Sequence, residues 1–113
     1  MQVRLLTLAI TTSLALSGCI GGADYAKHPR RFDAHQWRSA VGDDRCDMVD
    51  DLLEEVRLEG RSRAEIIVLL GEPETHAGDL SDHYHLCPSY IDVWILDIQW
   101  ENGRVASTRV RDT

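Results

Sequence analysis

The chain has 113 residues, with 12 Lys and Arg against 19 Asp and Glu and a formal net charge of −7. This acidity disfavours nucleic acid and bare anionic lipid as partners and is compatible with docking onto a basic protein surface. The length admits one small domain, whose core is small enough that an added covalent staple would be no surprise.

In chain order, Met1, Gln2, Val3 and Arg4 make a short basic start, followed by an apolar run from Leu5 to about Leu16. That run is shorter than the ~20 residues a membrane-spanning helix needs. With small residues before a cut site, it has the pattern of a secretory signal peptide. Leu16-Ser17-Gly18-Cys19 resembles the lipobox of bacterial lipoproteins. The resemblance implies removal of residues 1–18, a diacylglyceryl thioether on Cys19 and a further N-acyl chain such as palmitate. Stable anchoring takes more than one acyl chain, because each buried CH₂ contributes only about 0.8 kcal/mol. Ile20 stands where an Asp is associated with inner-membrane retention, so the resemblance points to the outer membrane, periplasmic face. Ordinary secretion is the alternative.

Residues 19–42 read as the lipidated cysteine and a flexible tether. Gly21-Gly22, Asp24, Lys27, His28, Pro29 and Arg30-Arg31 show no sustained apolar period. Phe32 and Trp37 interrupt that polarity, and Trp37 is expected to pack back on the domain edge. Residues 43–113 read as the folded domain. Met48, Val49, Leu52, Leu53 and Val56 recur at the spacing of one helical face, with acids early and Arg57 late. Asp50-Asp51 and Glu54-Glu55 read as a solvated outer face, with an acidic docking stripe as the alternative. Gly60 ends this helix. Ser62-Arg63-Ala64-Glu65 is a capping box opening a second helix, which Gly71 and Pro73 close.

Beyond Pro73 the period becomes that of strands. Tyr84 and Leu86 alternate with His83, His85 and Cys87, and Trp94, Leu96, Ile98 and Trp100 share one face of the next strand. Asn102-Gly103 predicts a two-residue hairpin with Glu101 opposite Arg104 and Trp100 opposite Val105. The polar strand from Arg104 to about Arg111 should lie at an edge. Helices followed by strands imply an α+β fold: a two-helix hairpin packed on a three-stranded antiparallel sheet. The other sheet face should be largely open to water, with Val93, Ile95 and Val110 the expected members of any apolar patch there.

With Cys19 assigned to lipid, Cys46 and Cys87 remain as an even pair in an oxidising compartment, either bridged or as two separate thiols. His83, His85 and Cys87 alternate along one strand and so project from the same face, with Asp82, Asp79 and His76 nearby, a weak candidate set for zinc or copper that lacks C-x-x-C or H-x-x-x-H spacing. No nucleophile elbow or phosphate loop is evident around Ser62, Ser81 or Ser89. No enzyme activity, cofactor or small-molecule substrate is expected.

The runs Leu58-Glu59-Gly60-Arg61-Ser62-Arg63-Ala64-Glu65-Ile66 and Leu69-Leu70-Gly71-Glu72-Pro73, followed by a tyrosine strand and an Asn-Gly hairpin, resemble the SmpA/OmlA (BamE-like) small lipoproteins. The similarity covers about Asp47 to Val110. It implies the helical hairpin on three strands, a fold shared with β-lactamase inhibitory proteins, and a non-enzymatic accessory role beside the outer-membrane barrel-assembly machinery. The chain departs from that branch at Gly60-Arg61-Ser62 and at Ala40-Val41-Gly42-Asp43-Asp44, so no binding residue is carried over. The resemblance thus implies a tethered protein-binding adaptor in envelope assembly or integrity. An inhibitor-like or sensor module restraining a periplasmic enzyme is one alternative, and a metal-binding lipoprotein is another.

Overall fold

The computed structural model describes residues 25–113; the signal peptide, Cys19 and the first part of the expected tether lie outside the described residues. Three helices come first: α1 (Ala34–Arg38), α2 (Asp44–Asp51), which runs on into a π-helical turn (Leu52–Val56), and α3 (Arg63–Leu70). Four strands follow, β1 (Thr75–Ala77), β2 (Ser81–Pro88), β3 (Val93–Glu101) and β4 (Arg104–Asp112), in one antiparallel sheet of order β1-β2-β3-β4. The expected two-helix hairpin on a three-stranded sheet is therefore corrected to three helices and four strands. Both additions are short. β1 has 3 residues, too few for alternation to register, and α1 has 5, little more than one turn.

Local chemistry sets the boundaries. Asp33 caps α1 by accepting from the Gln36 N–H at 2.9 Å. In α3, Ser62 Oγ accepts from Glu65 N while Glu65 Oε1 accepts from Ser62 N, so two otherwise unpaired donors are satisfied. The π-helical turn closes with Arg57 N donating to Leu52 O at 2.8 Å and puts Arg57 at φ 65. Asn102 (φ 54) and Gly103 (φ 75) both take the left-handed conformation a type I′ hairpin requires, and Glu101 pairs with Arg104 and Trp100 with Val105.

One sheet face carries Tyr84, Leu96, Ile98, Trp100 and Val105. It forms a single core with Met48, Val49, Leu52, Leu58, Ile66 and Leu70 from the helical layer, and with Trp37 of α1. Cys46 of α2 and Cys87 of β2 form a disulfide with Cα atoms 5.8 Å apart, tying helix to sheet through this core. A bulge between His85 and Cys87 makes that bond feasible. Simple alternation would put Cys87 beside the histidines, but the extra residue turns both Leu86 and Cys87 inward, where they are 4% and 5% exposed. The apolar patch expected on the other face does not form. Val110 packs against the core, and Ile95 is buried. β4 is one of the two outer strands of the sheet, with Arg104, Arg109, Arg111 and Asp112 along it.

The described part of the expected tether, residues 25–42, is laid against α2 rather than free. Asp47 Oδ1 accepts from the backbone N–H groups of Lys27 (3.0 Å) and His28 (3.1 Å), and Asp51 Oδ2 accepts from Phe32 N at 2.8 Å. Tyr25 stacks edge-on against Trp94, with centroids 5.2 Å apart, and its hydroxyl donates to Asp50. Burial, reinforced by the Asp50 carboxylate, raises the Tyr25 phenol far above its ordinary value, so it remains a donor. Asp50 and Asp51, expected to face solvent, thus hold this N-terminal strap; Glu54 and Glu55 are exposed.

Candidate functional site

Two tryptophans mark the ends of β3 on the covered face. Trp94, near its start, packs against Tyr25, where the described chain begins. Trp100 lies six residues on, about 20 Å along the strand at ~3.3 Å per residue. It floors an open cleft of about 510 Å³ between the β1–β2 and β3–β4 turns, lined by Arg63, Leu80, Asn102 and Gly103 among others.

The cleft is held from beneath by a buried carboxylate. Asp82, only 4% exposed in its side chain, accepts from Trp100 Nε1 at 3.0 Å and from Arg63 Nη1 at 2.9 Å; His76 Nδ1 lies 2.7 Å from its other oxygen. The Arg63 guanidinium sits 4.4 Å from the Trp100 ring centroid and also donates to Asp79 O at 3.2 Å. Leu80 is secured at its backbone, where its carbonyl accepts from Trp100 N at 2.8 Å, yet its side chain is 70% exposed. The α2–α3 turn is sewn to β4 beside it, with Gly60 N donating to Val105 O and Val105 N to Arg61 O, each at 2.9 Å. The result is an indole floor with a fixed cation and one exposed leucine on a rim otherwise made by Asp79, Glu101, Asn102 and Gly103, a surface suited to taking a side chain or turn from another protein.

The residues singled out from the sequence are placed elsewhere. His83 Nε2 lies 2.8 Å from Asp97 on the face away from the helices, His85 is exposed, and Cys87 is committed to the disulfide on the covered side. The bulge therefore separates the candidate metal set His83, His85 and Cys87. No group of three or more His, Cys, Asp and Glu suited to a metal occurs among the described residues. Ser62 Oγ is used in the α3 cap, and Ser89 Oγ accepts from Asp92 N at 3.0 Å. Cys19 lies outside the described residues. No helix among the described residues is long and apolar enough to cross a membrane.

No family model, curated protein or solved structure matches this chain. The sequence reading missed Arg63 and Leu80 as members of a site and placed Asp82 only beside the candidate metal set, although one signal was present. Asp82 has the same strand parity as Tyr84 and Leu86, and a carboxylate on an apolar face must be paired if it is buried. Leu80 follows Gly78-Asp79 in a turn, where no periodicity reports on it.

A second buried carboxylate organises the opposite face. Asp97 (3% exposed) accepts from Arg111 Nε at 2.5 Å and from Arg109 Nη2 at 3.3 Å, with His83 beside it in the cross-strand row His83, Asp97, Arg109. Burial alone would raise its carboxyl. Hydrogen bonds from Arg111 and then Arg109, with the nearby His83 charge, outweigh that and hold it below the ordinary value of 3.8. A depressed folded-state value contributes stability above the unfolded-state value, and that contribution is lost as pH falls through the folded-state value. Urea unfolding should therefore show stability declining from about pH 5 downward, with a shallower acid limb in Asp97→Asn. An unchanged acid limb in the variant would remove Asp97 from this account.

Proposed function

We propose that the chain is a lipid-anchored, non-enzymatic adaptor on the periplasmic face of the outer membrane, a divergent relative of the SmpA/OmlA (BamE-like) lipoproteins. In this reading it contributes to envelope assembly or integrity by binding a protein through the cleft around Trp100. One observation carries the reading: the chain enters the domain beside Trp94, while the cleft opens at the other end of the same strand. A domain anchored through Cys19 would present the cleft toward the periplasm and keep its entry end near the bilayer. The Leu16-Ser17-Gly18-Cys19 lipobox supports the anchor. The cleft has an indole floor with the Arg63 guanidinium over it, two residue types enriched at protein-contact hot spots, and an exposed leucine at its rim.

The test is a photo-crosslinking residue at position 80 in the full-length chain in its native envelope. Capture of a barrel-assembly component is the expected result, and Leu80→Asp should weaken that association by about tenfold, the scale of one hot-spot residue. Capture of a soluble hydrolase would replace this reading with the inhibitor-like one. Failure to crosslink, with unchanged outer-membrane permeability on deletion, would overturn the adaptor role.

A further inference from the structure

We infer that the turn joining β2 and β3 is a second membrane contact, seating Tyr90 and Ile91 in the headgroup region of a zwitterionic bilayer beside the lipid anchor. The inference rests on the anchored reading above and extends it to the orientation of the domain.

Tyr90 is 98% and Ile91 87% exposed, and they are adjacent in the chain. They are not a floppy pair. Ser89 N donates to Asp92 O at 3.0 Å and Asp92 N to Ser89 Oγ at 3.0 Å, so a tight turn thrusts both side chains outward. The strand ends behind the turn are fixed as well, by the Cys87–Trp94 and Pro88–Val93 pairings, the disulfide at Cys87, and Thr113 N donating to Val93 O at 3.1 Å. An amphipathic aromatic next to a β-branched aliphatic, held rigidly at a tip, suits an interface that is wet on one side and apolar on the other.

The occupant follows from where the chain enters. Tyr25 packs on Trp94, which pairs with Cys87 at this same end of the hairpin. Tyr25 is only six positions beyond Cys19. Six fully extended steps span about 20 Å, so an acylated Cys19 holds this end of the domain within that distance of the bilayer surface. The strap along α2 takes up the slack that a free tether to residue 42 would have provided. Asp92 in the turn and Asp112, paired opposite Trp94, disfavour an anionic surface and leave a zwitterionic one as the match. Leu80, also strongly exposed, lies at the cleft end and serves as an internal control.

The experiment uses the full chain purified with its lipid, in phosphatidylethanolamine–phosphatidylcholine nanodiscs containing a spin-labelled lipid. Mass spectrometry first establishes acylation of Cys19. NMR signals of the Ile91 methyl groups and the Tyr90 ring should broaden several-fold more than those of Leu80, and Tyr90→Ser/Ile91→Ser should reduce the broadening of the Ser89 and Asp92 amides several-fold while the chain stays anchored. An acylated chain whose Tyr90 and Ile91 signals broaden no more than Leu80 overturns the inference while leaving the anchor standing; protection of the turn by a protein partner instead does the same. An unacylated Cys19 overturns both.

Discussion

Removal of the Cys46–Cys87 bond, by reduction or by Cys46→Ala/Cys87→Ala, is expected to lower the unfolding free energy by about 4 kcal/mol. The bond closes a loop of 41 residues in the unfolded chain, and the chain-entropy relation for a loop of that length gives about this value. Small domains have only about 5–15 kcal/mol in total, so the loss would be a large share of the whole. The bond also joins the two layers of the core directly, since Cys46 and Cys87 are both buried among Trp37, Met48, Leu86 and Tyr84. Guanidinium unfolding with and without reductant measures the difference. A change below about 1 kcal/mol would mean that the helical layer is held as firmly by packing alone.

Asp82→Ala is expected to cost about 2–4 kcal/mol. The buried Trp100 Nε1–H would lose its acceptor, and the Arg63 guanidinium would lose the carboxylate that fixes it over the ring. The figure sits below the full penalty for breaking a buried ion pair because Arg63 and His76 are 41% and 57% exposed and can return to water. Asp82→Asn keeps an acceptor for the indole and should lose about 1–2 kcal/mol. The two variants also separate stability from shape. With its floor loosened, Asp82→Ala should lose the crosslinking at position 80 even at temperatures where it remains folded. If Asp82→Ala unfolds at the same denaturant concentration as the parent, the cleft is not organised from beneath in this way.

The parts legible from the sequence were those governed by local rules. The Asn102-Gly103 turn and its two cross-strand pairs follow from which residues tolerate positive φ, and the α3 cap follows from Ser62 and Glu65 alone. The helix face of Met48, Val49 and Leu52 and the β3 face of Leu96, Ile98 and Trp100 follow from periodicity, because one buried side imposes it. What escaped depends on contacts distant in the chain. Lys27, His28 and Phe32 look like tether residues because their backbone groups, rather than their side chains, do the binding, and the partners Asp47 and Asp51 are about 20 positions away. The bulge before Cys87 has no composition signal, yet it moves the cysteine to the opposite face and breaks up the apparent His83-His85-Cys87 row. The cleft is a product of two turns meeting, and Leu80 and Gly103 become neighbours only once β2 and β3 have paired.

The outer position of β4 carries a consequence for how neighbouring copies behave. The α2–α3 turn covers the outer flank of β4 only at Arg104 and Val105; among the described residues the rest of this nine-residue strand has no strand partner on that side, which makes it a template for intermolecular sheet growth, and the danger rises wherever molecules are crowded side by side. Arg109 and Arg111 answer it from within the sheet, because the guanidiniums that neutralise Asp97 also stud this rail with positive charge. Two such rails brought together face each other with like charges, so a charge cluster that folds the monomer also works against polymerisation.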